Sequence, residues 1–283
     1  MQQRVDIGEV VLHHAADAYS FGIEGTRFML EWHKLEALQF GPFNITPSRH
    51  VIFMVLAALL VFLTMRVAGQ KLQRQRANEN APKGFANAVE AMVLFVRNDV
   101  AIANIGQDGA KFAPFIMTLF FFVLYMNLMG LIPHGATATG NLGVTAGLAI
   151  MVFVVIEISG VVKLGPVGYM RTIFPSIPGL SGPGAVAMSL FMAPIELLGK
   201  MVKPFALCVR LFGNMTAGHF VILSMMGIIF LFGHLTFWNW AIGISVATLI
   251  LGIMMLEIFV ATLQAYVFAL LTAVFIGLMQ HEH

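Results

Sequence analysis

Two apolar runs at the end of the chain, 185–232 and 238–279, are each too long to stand upright in a bilayer. Both keep helical spacing for nearly their whole length, with Pro194 and Pro204 as the only breaks in the first. About 40 helical residues reach about 60 Å, twice the hydrocarbon thickness of a membrane. Such helices must tilt steeply, lie partly in the membrane plane, or break into halves. The connecting stretch GHLTFWNW has no Lys or Arg and sets Trp238 and Trp240 where an aromatic belt lies. The pair is therefore predicted to form a long, steeply tilted or near-horizontal hairpin.

The remainder fits an all-α membrane protein with about five membrane helices. Of 283 residues, 59% are hydrophobic and 11% charged, against about a quarter charged in soluble domains. Residues 1–49 read as a polar or amphipathic extension, and 50–283 as the membrane domain. Within it, 51–67, 112–132 and 141–160 read as spans, and 85–105, interrupted by Glu90, Arg97 and Asp99, as an amphipathic helix. The Gly/Pro-rich stretch from Gly160 to Gly184 argues against a continuous helix there. The basic cluster Arg66, Lys71, Arg74, Arg76 and Lys83 follows the first span. By the positive-inside rule it is cytoplasmic, so the N-terminus lies outside and the C-terminus inside.

Several function classes receive no support. The single cysteine, Cys208, allows no internal disulfide and reads as a small packing residue. His13, His14 and His33 lack supporting ligands at metal spacing and read as exposed, as do His134 and His234 in outward loops. Walker, GxGxxG and CxxC motifs are absent, and no metal, cofactor or nucleic-acid partner is expected. No removable signal or Arg-rich transit peptide is evident, which favours a bacterial inner membrane over an organelle. The abundant methionines read as adaptable apolar filling.

Charge inside an apolar run demands a reason, because an arginine there costs from about 3 to above 10 kcal/mol. The stretch PIELLGKMVKPFALCVRLFGNMTAGHF, 194–220, holds Glu196, Lys200, Lys203, Arg210, Asn214 and His219. At about 100° per residue, Glu196, Lys203 and Asn214 project within about 40° of Arg210, while His219 points to the opposite side. One helix thus offers a charged stripe to one neighbour and an imidazole to another. In the last run, Glu257 and Gln264 share a face about 20° apart. A carboxylate deep in an apolar helix needs a cation, a proton or solvent, and His219 is a candidate partner. A carboxylate, an imidazole and an amide are the components of a proton relay, and equally of a structural polar pair. Glu157, near a helix end, reads as interfacial.

The strings RLFGNMTAGH, PIELLGKMVKP and TLQAYVFALLT, with MNLMGLIP at 126–133, closely resemble subunit a of the rotary F-type ATP synthases. The resemblance runs from about Val51 to the C-terminus. It implies a proton-translocating stator whose last two helices lie against a c-ring, assembled with peripheral-stalk b subunits and the rest of the synthase. It implies that Arg210 is the stator charge facing the c-ring carboxylate. Asn214, His219, Glu257 and Gln264, with Asn127 and Thr145, match the outer-side half-channel; Glu196, with Lys203 near it, matches the cytoplasmic one. Many bacterial members carry the acid on the first hairpin limb and the histidine on the second; here His219 and Glu257 are exchanged, as in the mitochondrial type. No catalytic bond-making is implied for this chain. A haem-binding membrane subunit of an electron-transfer complex and a stand-alone transporter remain alternatives, the latter without the internal repeat it usually shows.

Overall fold

The computed structural model describes residues 20–21, 30–31, 39–40, 43–44, 48–77, 84–132, 137–174, 183–232 and 239–281. The described membrane domain is helical. Helix α1 is Arg49–Ala77; α2 is Phe85–Phe95, continued by a π-helical stretch Val96–Ile102 and a short α3, Ala103–Ile105. Then come α4, Gly109–Gly130; α5, Leu142–Ile173; α6, Pro183–Phe232; and α7, Asn239–His281. Among the described residues, five helical stretches are long and apolar enough to cross a membrane.

Ahead of α1, the described parts of the N-terminal extension are not helical, whereas the chain as a whole is an all-α membrane protein. Two antiparallel ladders of two residues per strand occur there, β1 Ser20–Phe21 with β2 Leu30–Glu31 and β3 Gln39–Phe40 with β4 Phe43–Asn44. His13, His14, His33, Lys83, His134 and His234 lie outside the described residues.

Three helices differ from their sequence limits. Helix α1 runs on to Ala77, so Arg66, Lys71, Arg74 and Arg76 extend the helix instead of marking a loop. The run 85–105 is helical but passes through π geometry. At its end Asn104 donates its side-chain amide to the Val100 carbonyl at 2.8 Å. Helix α5 passes beyond Gly160 as far as Ile173 but is not continuous through the Gly/Pro-rich stretch. It is broken inside at Gly165 (φ 71, ψ 167), directly before Pro166. Only glycine adopts that φ without strain, and proline supplies no N–H to the turn, so the helix kinks and resumes.

Two compact units share the helices between them. The first holds the described residues of Met1–Leu63 with Phe121–Asn141 and Leu211–Ala265; the second holds Thr64–Phe120, Leu142–Arg210 and the described part of Tyr266–His283. In the first, α6 and α7 pair antiparallel, with Asn214 meeting Gln264 and Gly218 meeting Glu257. Leu211, Met215, Val123 and Met126 fill its core. In the second, Ile105, Ile116, Val152 and Phe268 are buried. On α7, Ala261, Ala265, Ala269 and Ala273 are fully buried and recur every fourth residue, followed by Gly277. Small residues at that spacing let backbones approach closely. A Cβ on Gly277 would come within 3.2 Å of the Asn104 carbonyl carbon, so α3 rests directly on α7.

Candidate functional site

In the first unit the polar side chains of two antiparallel limbs meet. Asn214 donates its amide to Oε1 of Gln264 at 2.9 Å, and Gln264 is 2% exposed. One turn along α6, Gly218 faces Glu257; a Cβ there would stand 2.8 Å from the Glu257 carboxyl carbon. Only a residue without a side chain lets the carboxylate lie against the helix backbone. Glu257 is buried, and neither of its oxygens has a hydrogen-bond partner among the described residues. An unpaired buried carboxylate is expensive and persists where chemistry uses it.

His219 does not bond Glu257. Its Nε2 hydrogen-bonds the hydroxyl of Thr137, at the start of the 3-10 turn Ala138–Gly140. Thr137 fits there because position 130 is glycine; a Cβ at Gly130 would meet the Thr137 Cβ at 2.9 Å. Two residues on, the Thr139 hydroxyl donates to Oδ1 of Asn127 at 2.9 Å, and the Asn127 amide donates to the Ala261 carbonyl at 3.1 Å. Asn127 and Thr139 are wholly buried, so each polar atom needs such a partner. The sequence missed both threonines: the turn carries no charge and follows a loop, so nothing short of folding brings it onto α6.

The second unit holds Glu196, Lys203, Arg210 and Thr145. Arg210 is exposed and makes no hydrogen bond or ion pair with any described residue. The apolar residues Val202, Phe205 and Val209 in the same stretch of α6 are also exposed. Lys203 places its ammonium 5.4 Å above the Phe275 ring, and Glu196 is half-buried. Thr145 is fully buried; its hydroxyl donates to the Leu142 carbonyl at 3.1 Å and accepts from the Cys208 thiol at 3.5 Å. Cys208 is buried in this packing role, as the sequence predicts.

Lys200 is a second polar centre the sequence left aside. It is 4% exposed, donates to the Thr172 hydroxyl at 2.9 Å, and lies 4.5 Å over the Tyr169 ring. The Tyr169 hydroxyl donates in turn to Glu157, which is half-buried. The signal was present: Lys200 lies four residues after Glu196 in the same apolar run, and a buried ammonium requires an acceptor.

A sequence model described as "ATP synthase A chain" matches residues 42–277. The chain belongs to the ATP synthase A chain family. Curated proteins agree along nearly its whole length. It is 43% identical over 271 residues to "ATP synthase subunit a 2" of Chlorobaculum tepidum, covering 96% of this chain and 72% of the relative. It is 43% identical over 272 residues to "ATP synthase subunit a" of Chloroherpeton thalassium, covering 96% and 77%. Over 281 residues it is 40% identical to the protein of that name from Anaeromyxobacter dehalogenans, covering 96% and 70%. Arg210 and Glu257 both fall within the matched residues.

Proposed function

We propose that the chain is the proton-translocating membrane stator of an F-type ATP synthase and offers two offset half-channels to the carboxylates of a c-ring. The observation that carries this reading is Arg210: an exposed cation on an apolar helix, without a partner among the described residues. Such a charge persists in a membrane where an anion, backbone carbonyls or a water-filled cavity faces it. A passing c-ring carboxylate is such an anion.

A proton enters from the outer side through the region of Asn127, His219, Glu257, Gln264 and Asn214, with Thr145 along the same path, and neutralises a c-ring carboxylate. The neutral carboxyl then turns into lipid at little cost. After nearly a full turn it meets the cytoplasmic path at Glu196 and Lys203, loses its proton, and is held ionised by Arg210. Guanidinium keeps its charge at any accessible pH, so no proton leaks past it. Each proton falling through 100 mV delivers about 2.3 kcal/mol, and several per turn drive the rotor. This chain makes no covalent bond; it conducts and holds position. Peripheral-stalk b subunits anchor it, in a bacterial inner membrane with the N-terminus outside and the C-terminus in the cytoplasm.

The test is ATP-driven proton pumping by inverted vesicles carrying the complex with Arg210→Ala, with assembly checked by co-purification of the c-ring. Loss of pumping in an assembled complex is expected. Normal coupled pumping would sink the mechanism.

A further inference from the structure

Thr137 is held from a direction that the relay itself does not need. His50, the second residue of α1, is 5% exposed, and its Nδ1 lies 3.1 Å from the Thr137 carbonyl oxygen. A carbonyl oxygen only accepts, so Nδ1 carries the hydrogen and the tautomer of His50 is fixed. The Thr137 hydroxyl is the partner of His219 Nε2, and the Thr137 side chain sits in the space left by Gly130. The backbone of this one residue is thus clamped by α1, while its side chain orients an imidazole on α6. All these groups lie within the first unit. We infer that His50 is a positioning residue for proton transfer: by donating to the Thr137 carbonyl it holds the threonine hydroxyl on His219 and so fixes which imidazole nitrogen faces the path.

This inference rests on the stator reading. The charged groups near the pair are Arg49, close enough to His219 for their charges to interact, and Glu257, which lies against Gly218 beside His219. An ionised Glu257 has no donor to replace the one His50 supplies to Thr137. The bond carries no proton itself. Its role is geometric: the hydroxyl can meet either tautomer, and the bond holds one ring orientation, as second-layer contacts of histidine do in metal sites.

Two substitutions separate the donor from the ring. His50→Phe keeps the ring and removes the hydrogen; His50→Asn keeps an N–H close to the position of Nδ1 and removes the ring. Each is made in the whole complex and reconstituted into vesicles. Proton pumping is measured, together with ATP synthesis as the pH on the outer face is varied at constant total driving force. With both variants assembled on the c-ring, His50→Phe is expected to lower the rate severalfold and to shift the outer-face pH profile. His50→Asn is expected to keep most of the rate and the original profile. A normal His50→Phe complex overturns the inference, and so does a His50→Asn complex as impaired as His50→Phe. Failure of both to assemble also overturns it, because the imidazole then serves the fold. Arg210→Ala run alongside distinguishes the two levels: if it pumps normally, the stator reading falls; if it is inactive while His50→Phe is normal, only the role of His50 falls.

Discussion

Gly218 shows how far one missing side chain can matter. Its hydrogen leaves room for the Glu257 carboxylate against α6, where a methyl group would stand 2.8 Å from the carboxyl carbon. The atoms in the way are the end of a flexible side chain, so Gly218→Ala displaces the carboxylate more readily than it breaks the helix pair. We expect the variant to assemble with a stability loss at the lower end of about 1–3 kcal/mol for overpacking. Pumping is expected to fall much further than assembly. Equal losses in pumping and in c-ring co-purification would show that Gly218 serves packing alone.

Between elements, the second unit is tied by one ion cluster and one close backbone contact. Asp108, just before α4, accepts from Lys111 at 2.8 Å and from Lys163 on α5 at 2.5 Å. These two hydrogen-bonded lysines hold its carboxyl down at about 2. Because the folded value lies below the ordinary 3.8, the stabilisation is fully present above that value and is lost as pH falls from about 4 toward 2. The melting temperature of Asp108→Asn in detergent should therefore lie below the parent's near neutral pH, the gap closing through that window. A gap that stays constant as pH falls would mean that the charge contributes nothing. At Gly277 the obstacle is the backbone around Asn104 and Ile105, which cannot swing aside. Gly277→Ala should cost about 1–3 kcal/mol of thermal stability, and an unchanged melting temperature would refute the close contact of α3 and α7.

For the whole molecule, α7 is the least covered of the five long apolar helices among the described residues. In α7 only 11% of the most apolar window is buried within the chain, against 56% in α4. The exposed Leu249, Met255, Leu256, Phe259 and Leu263 must therefore face lipid or another subunit. The proposed orientation can be read chemically in a Cys208→Ala background. A cysteine at Arg74 should react with an impermeant maleimide only from the cytoplasmic side, and one at Trp240 only from outside. The reverse pattern would invert the topology and the assignment of both half-channels with it.

Much of this protein was legible in its sequence because lipid allows few solutions. A backbone without water must be helical, so the apolar runs marked where long membrane helices lie, though not where α1 and α5 end. The cost of charge in those runs singled out Arg210, His219, Glu257 and Gln264, and the RLFGNMTAGH string gave the family. The meeting of Asn214 with Gln264 came only with the folded hairpin. The partners of the remaining polar groups were not legible. His219 bonds Thr137, Thr139 bonds Asn127, and Lys200 finds Thr172 and Tyr169. Each pairs residues from different elements, and hydroxyls and glycines carry no periodic signal that marks them beforehand. The continuation of α1 through its basic cluster and of α5 past Gly165 escaped for a related reason. Charge and Gly-Pro pairs disfavour a helix locally, but neighbouring turns and packing decide whether it stops or bends. Residue chemistry determined which groups this chain must protect or use; the tertiary structure alone decided which hydrogen-bond partners would hold them.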